Sequence, residues 1–123
     1  CIRDSIFTSV KIANNNSIMF KDFGSTELGI WSAHGEGRFK LPKSESEYNI
    51  IAKYSNSSFP TNPNGSDYDT AILSSKDGRH IAMMPHLERS TFPWNWGYYP
   101  KSKESDDISP WIYAFINAYN WLK

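Results

Sequence analysis

His86, Leu87 and Glu88 directly follow the apolar run Met83-Met84-Pro85. The spacing puts an imidazole and a carboxylate two residues apart at the end of a strand, where functional side chains commonly meet a substrate. If the backbone stays extended past Pro85, which biases Met84 away from helical angles, both side chains leave the same face. The carboxylate can then hold one ring nitrogen, fix the tautomer and stabilise the imidazolium, freeing the other nitrogen to act as a base toward a nucleophile. A surface ion pair is the plainer reading, and the spacing alone does not separate the two.

A second cluster is His34-Gly35-Glu36-Gly37-Arg38. Its two glycines allow close backbone approach to a ligand, with the charged side chains as a rim; the plainer reading is a tight corner with solvated Glu36 and Arg38. His34 and Glu36 taken with His86 and Glu88 also form a two-imidazole, two-carboxylate set that suits zinc, manganese or iron. A small metal-dependent hydrolase is the alternative function that set supports. His80 falls within a hairpin strand and reads as an ordinary half-exposed residue. A zinc deaminase is excluded, because its His-x-Glu requires a Pro-Cys-x-x-Cys that is missing here. Cys1 could serve as an N-terminal nucleophile with its own amine as base, but Ile2-Arg3-Asp4 follows it in place of a small glycine turn. A noncatalytic interaction module would use the aromatic stretch Phe92-Pro93-Trp94-Asn95-Trp96-Gly97 as its contact patch.

The elements that must position these residues follow from local pattern. Phe7 to Ile12 alternates as a strand, Asn14-Asn15-Asn16 breaks it, and Ser17 opens a short apolar helix through Phe20. Leu28 to Ala33 and Arg38 to Leu41 read as two strands about the glycine corner, and Asn49 to Tyr54 as a third. Pro60 to Ser66 is turn. Thr70 to Ser74 and Arg79 to Met84 flank Lys76-Asp77-Gly78, where Asp-Gly signals an antiparallel hairpin. A helix from Pro110 to Leu122 starts after Ser109 as N-cap, with Trp111, Phe115, Ala118 and Leu122 on the side expected to pack against a sheet.

The 123 residues suffice for one core but fall below the usual size of a complete α/β enzyme domain. Lys+Arg and Asp+Glu both total 13, which leaves no basic excess for gripping nucleic-acid phosphates. An aromatic share of 15% speaks for a packed interior rather than disorder. No apolar run approaches the roughly 20 residues needed to cross a bilayer, and no leader-like stretch opens the sequence, so no membrane partner is expected. The single cysteine precludes an internal disulfide and points to a reducing, cytoplasmic setting. A first residue other than Met is what processing, or excision from a longer protein, would leave.

Several stretches then resemble one family. In chain order they are Asn16-Ser17-Ile18-Met19-Phe20, Leu28 through Phe39, Asn62-Pro63-Asn64-Gly65-Ser66, Asp77-Gly78-Arg79, Met83 through Arg89, and Ser109-Pro110-Trp111 leading to Asn117-Ala118. Together they resemble the class I glutamine amidotransferase (glutaminase) domain at the C-terminal end of phosphoribosylformylglycinamidine synthase, over nearly the whole chain. The resemblance implies an α/β fold: a partial flavodoxin-like domain with a mixed sheet and a C-terminal helix. Residues 1–123 would be the C-terminal portion of that single domain, truncated on its N-terminal side. The parent enzyme is then expected to transfer ammonia from glutamine to formylglycinamide ribonucleotide with ATP consumption, in purine synthesis.

In such a domain a cysteine attacks the glutamine carboxamide, a histidine takes the thiol proton and delivers it to the leaving ammonia, and a glutamate orients the histidine. His86 and Glu88 match the last two. Ala33, His34, Gly35 and Glu36 resemble the segment that touches glutamine, chiefly through main-chain groups. No metal or cofactor is expected within these residues, ATP and Mg belonging to the parent's synthetase domain. The expected partners are glutamine and the remainder of the same polypeptide. The family's nucleophile lies on a Gly-x-Cys-x-Gly turn that is absent here, and Cys1 has no glycine neighbours, so these residues alone are expected to be inactive. Leu87 replaces a proline frequent in relatives while keeping both functional side chains.

Overall fold

In the computed structural model, residues 6–24, 26–32, 39–57, 61–62, 65–92, 96 and 109–122 are described. They form strands β1 (Ile6–Ile12), β2 (Thr26–Ser32), β3 (Asn49–Tyr54), β4 (Thr70–Ser74) and β5 (Ile81–Met83), followed by helix α1 (Ile112–Leu122). The sheet order is β2-β1-β3-β4-β5. Every pairing in it is antiparallel. The α/β class and the C-terminal helix agree with the sequence reading, whereas the described strands contain none of the parallel pairs of a mixed sheet. β1 and β2, and β4 and β5, are consecutive in the chain and pair antiparallel, whereas β3 follows β2 in the chain but pairs with β1 and β4.

Alternation explains the inner face. Thr8, Val10 and Ile12 of β1 are buried, as are Leu28, Ile30 and Ser32 of β2. Their register sets Thr8 opposite Ile30 and Val10 opposite Leu28. In β3 a register shift between Ile50 and Ala52 lets both Ile51 and Ala52 turn inward. The core adds Phe20, Phe23, Trp111 and Ala114 to these residues. Trp111 stacks on Phe23 with centroids 5.9 Å apart and meets Phe20 edge-on at 6.3 Å.

The sheet also curls on itself. Beyond β5, His86 forms an antiparallel bridge with Trp31 of β2, at the opposite edge of the sheet. The His86 N–H donates to the Trp31 carbonyl at 2.6 Å. His86 therefore sits at the seam where the sheet nearly closes.

Four local expectations differ from what forms. Ser17 to Phe20 is a turn, followed by a 3-10 turn at Lys21–Phe23. Asn15 imposes it: its side-chain oxygen accepts from the Ser17 N–H at 3.0 Å and its amide donates to the Phe20 carbonyl at 3.1 Å. Phe39 to Leu41 is not a strand, because the Phe39 N–H donates to Ser66 Oγ and the Leu41 N–H to the Asp67 carboxylate, leaving no ladder to make; Arg38 lies outside the described residues. β5 is shorter than the Arg79–Met84 reading. The buried side is set by Trp111, just ahead of α1, and by Ala114 within it, while Phe115 and Leu122 are exposed at 41% and 76%. The helix is apolar on most sides, so its spacing did not specify which stripe would pack.

Candidate active site

The chain is extended at His86, with φ −107° and ψ 100°, and enters a 3-10 turn at Leu87–Arg89. Glu88 thus stands in a turn rather than in a continuing strand. The two side chains nevertheless meet: His86 Nδ1 lies 2.7 Å from Glu88 Oε1. The single tight turn folds residue 88 back toward residue 86, with the Arg89 N–H donating to the His86 carbonyl at 3.3 Å. His86 is one-third exposed at its side chain and Glu88 is 62% exposed, so the pair opens to solvent. Partial burial works to raise the Glu88 carboxyl, but the His86 hydrogen bond, a backbone hydrogen bond and the nearby His86 and Arg89 charges together hold it below the usual glutamate range. An ionised carboxylate on Nδ1 leaves Nε2, on the far side of the ring, as the nitrogen able to accept a proton from a nucleophile.

The backbone beneath the pair is locked from several directions. The Trp31 N–H points to Ser90 Oγ at 3.3 Å, and the Ser90 hydroxyl to the His86 carbonyl at 3.4 Å. Ser90 is completely buried. Sequence reasoning did not single out Trp31 or Ser90; nothing local marks a strand residue and a serine 59 positions apart as neighbours. Close to the same end of the sheet lies Tyr54, whose phenol is pushed up to about 12 by burial, a hydrogen bond with Ser32 opposing the shift.

β2 ends at Ser32, one residue past the bridge to His86. The predicted glutamine segment Ala33, His34, Gly35 and Glu36 comes immediately after it and lies outside the described residues, as does Cys1. The four-ligand metal set likewise depends on His34 and Glu36; among the described residues no three His, Cys, Asp or Glu side chains are grouped to hold a metal. His80 is exposed in the β4–β5 hairpin, its N–H donating to Ser75 Oγ at 3.1 Å. Of the aromatic stretch 92–97, Trp96 turns into its own domain, tilted against Phe7 at 5.7 Å with its indole N–H donating to the Ser90 carbonyl at 2.8 Å. Trp96 is partly buried there against the core, while Phe92 stays exposed. Among the described residues no helix is long and apolar enough to cross a membrane.

Residues 4–122 match the CobB/CobQ-like glutamine amidotransferase domain. The chain belongs to this glutamine amidotransferase family. It is 41% identical to the phosphoribosylformylglycinamidine synthase of Drosophila melanogaster, a match covering 94% of the chain and 10% of that protein. It is 38% identical to the probable phosphoribosylformylglycinamidine synthase of Caenorhabditis elegans, over 96% of the chain and 11% of the relative. The human phosphoribosylformylglycinamidine synthase is 35% identical over 96% of the chain and 10% of its own length. The chain thus spans about a tenth of the relatives it matches. Among solved structures, PurLQS from Thermotoga maritima superimposes with a TM-score of 0.66 at 23% identity, covering 98% of this chain and 49% of that one, which establishes the shared fold. The glutamine amidotransferase domain described here thus shares its overall fold with that structure.

Proposed function

We propose that this chain is the histidine- and glutamate-bearing portion of the glutaminase of a phosphoribosylformylglycinamidine synthase. The observation that carries the reading is the 2.7 Å pairing of His86 Nδ1 with Glu88 at the sheet seam, open to solvent. In this reaction a cysteine from the remainder of the same polypeptide attacks the glutamine carboxamide carbon. His86 Nε2 takes the thiol proton and passes it to the departing nitrogen, so ammonia leaves and a thioester forms. Water, deprotonated by the same imidazole, then releases glutamate and restores the thiol. Glu88 keeps the tautomer and offsets the charge that His86 acquires. Ala33, His34, Gly35 and Glu36, which follow β2 in the chain, would contact the glutamine. The ammonia is consumed in converting formylglycinamide ribonucleotide to its amidine with ATP and Mg bound elsewhere in the parent enzyme. The setting is cytoplasmic, and no nucleic acid or membrane takes part.

The test uses the full-length enzyme. His86→Ala is expected to lower glutamine-dependent turnover by about 10²- to 10⁴-fold, and Glu88→Gln to lower it less, while turnover supported by added ammonia stays intact. Equal losses with both nitrogen sources would contradict the assignment. A polypeptide of these 123 residues alone is expected to release no ammonia from glutamine. Glutaminase activity there that depended on His86 would overturn the need for an external thiol.

A further inference from the structure

His86 and Glu88 are exposed enough that their attraction contributes little to holding them in line. Two long-range contacts on the buried backbone beneath them supply what the pair lacks. Ser90 closes the 3-10 turn that carries Glu88, its N–H donating to the Leu87 carbonyl at 3.0 Å. Its own carbonyl is enclosed and accepts two side-chain donors, the Trp96 indole N–H at 2.8 Å and the Ser109 hydroxyl. Ser109 is itself fully buried, and its N–H donates to the Thr91 carbonyl at 2.8 Å. Two residues on, the Trp111 indole N–H donates to the Gly29 carbonyl of β2 at 2.7 Å. The lead-in to α1 therefore grips both the turn that carries Glu88 and the strand that backs His86.

This use of Ser109 is not the one its place in the sequence suggests. A serine ahead of Pro110 reads as a helix N-cap, yet α1 begins at Ile112, whose N–H takes the Ser109 carbonyl at 3.2 Å. The hydroxyl is left to reach the Ser90 carbonyl instead.

We infer that Ser109 and Trp96 are positioning residues for the His86–Glu88 pair, acting through the Ser90 carbonyl; the inference rests on the glutaminase reading above. A carbonyl has two acceptor sites, so removing one donor leaves it partnered and removing both orphans it in the interior. The two residues are therefore coupled, and loss of both should release the turn far more than either loss alone.

In the full-length enzyme, Ser109→Ala and Trp96→Phe are each expected to lower kcat with glutamine by about tenfold, with little change in KM for glutamine and none in ammonia-supported turnover. The double variant should lose more than the product of the two single losses, and Ser109→Thr, which keeps the hydroxyl, should restore most of the kcat. If Trp96→Phe, Ser109→Ala and the double variant all keep full glutamine kcat, whatever their thermal midpoints, the inference is overturned. It is equally overturned if their losses appear in ammonia-supported turnover too. His86→Ala run alongside separates the two levels: should it leave glutamine turnover intact, the catalytic reading fails, whereas its loss combined with unaffected Ser109 and Trp96 variants sinks only the positioning role.

Discussion

Tyr54 is 4% exposed, and its phenol has left water for the inner face of the sheet at the cost of its ability to ionise. Burial raises the phenol from its ordinary 10.0 to about 12. Because the folded value lies above the unfolded one, the stability contributed by the neutral phenol is fully present below pH 10. It is lost as pH rises from there through about 12. Urea unfolding of the wild type is therefore expected to weaken across that window more steeply than that of Tyr54→Phe, and matching pH slopes would argue against a buried phenol. At neutral pH the same substitution should cost about 1 kcal/mol, the worth of one hydrogen bond to Ser32. Glu88 illustrates the opposite case. Its carboxyl is held low despite partial burial, because alignment with His86 and nearby positive charge outweigh desolvation.

Among the elements, the β4–β5 hairpin depends most on one residue type. Gly78 has φ +74°, and a Cβ there would come within 2.2 Å of the Asn16 backbone carbonyl oxygen. That carbonyl cannot easily retreat, since the Ile18 N–H donates to the Gly78 carbonyl at 3.0 Å and the Asn16 side chain to the Lys76 carbonyl at 2.8 Å. Gly78→Ala must strain the left-handed backbone and also part the hairpin from the Asn14–Ser17 turn. A loss of about 2 to 4 kcal/mol in urea unfolding is expected. A cost within experimental error would mean that the hairpin and the turn do not support one another. The hairpin was legible because Asp-Gly acts within four residues. Phe39 to Leu41 was not, because its amides are claimed by Ser66 and Asp67, 27 and 26 positions away respectively.

At the level of the whole molecule, α1 leaves an unusual amount of aromatic surface in water. Tyr113, Tyr119 and Leu122 are 55%, 63% and 76% exposed, with Ile116 between them. A helix apolar on most sides is characteristic of an interior position, and apolar surface of this extent promotes association. In sedimentation velocity, a polypeptide of these residues is expected to self-associate at micromolar concentration. Replacing Tyr119 and Leu122 by lysine should reduce association while changing unfolding stability by no more than about 0.5 kcal/mol. A wild-type chain that stays monomeric would show that this face is tolerated in water.

Alternation and turn chemistry are near-neighbour properties, so the order of residues was enough to place β1, β3, β4, the hairpin and the existence of α1. The His86-x-Glu88 pair was legible because a single residue separates its partners, although the 3-10 turn at Leu87–Arg89, and not the extended path expected past Pro85, brings them together. The way the sheet curls until His86 meets Trp31, the stripe of α1 that packs, and the convergence of Trp96 and Ser109 on one buried carbonyl were not legible. Each is a choice among near-equal local options, settled by which distant groups could satisfy buried amides and carbonyls once the core had closed.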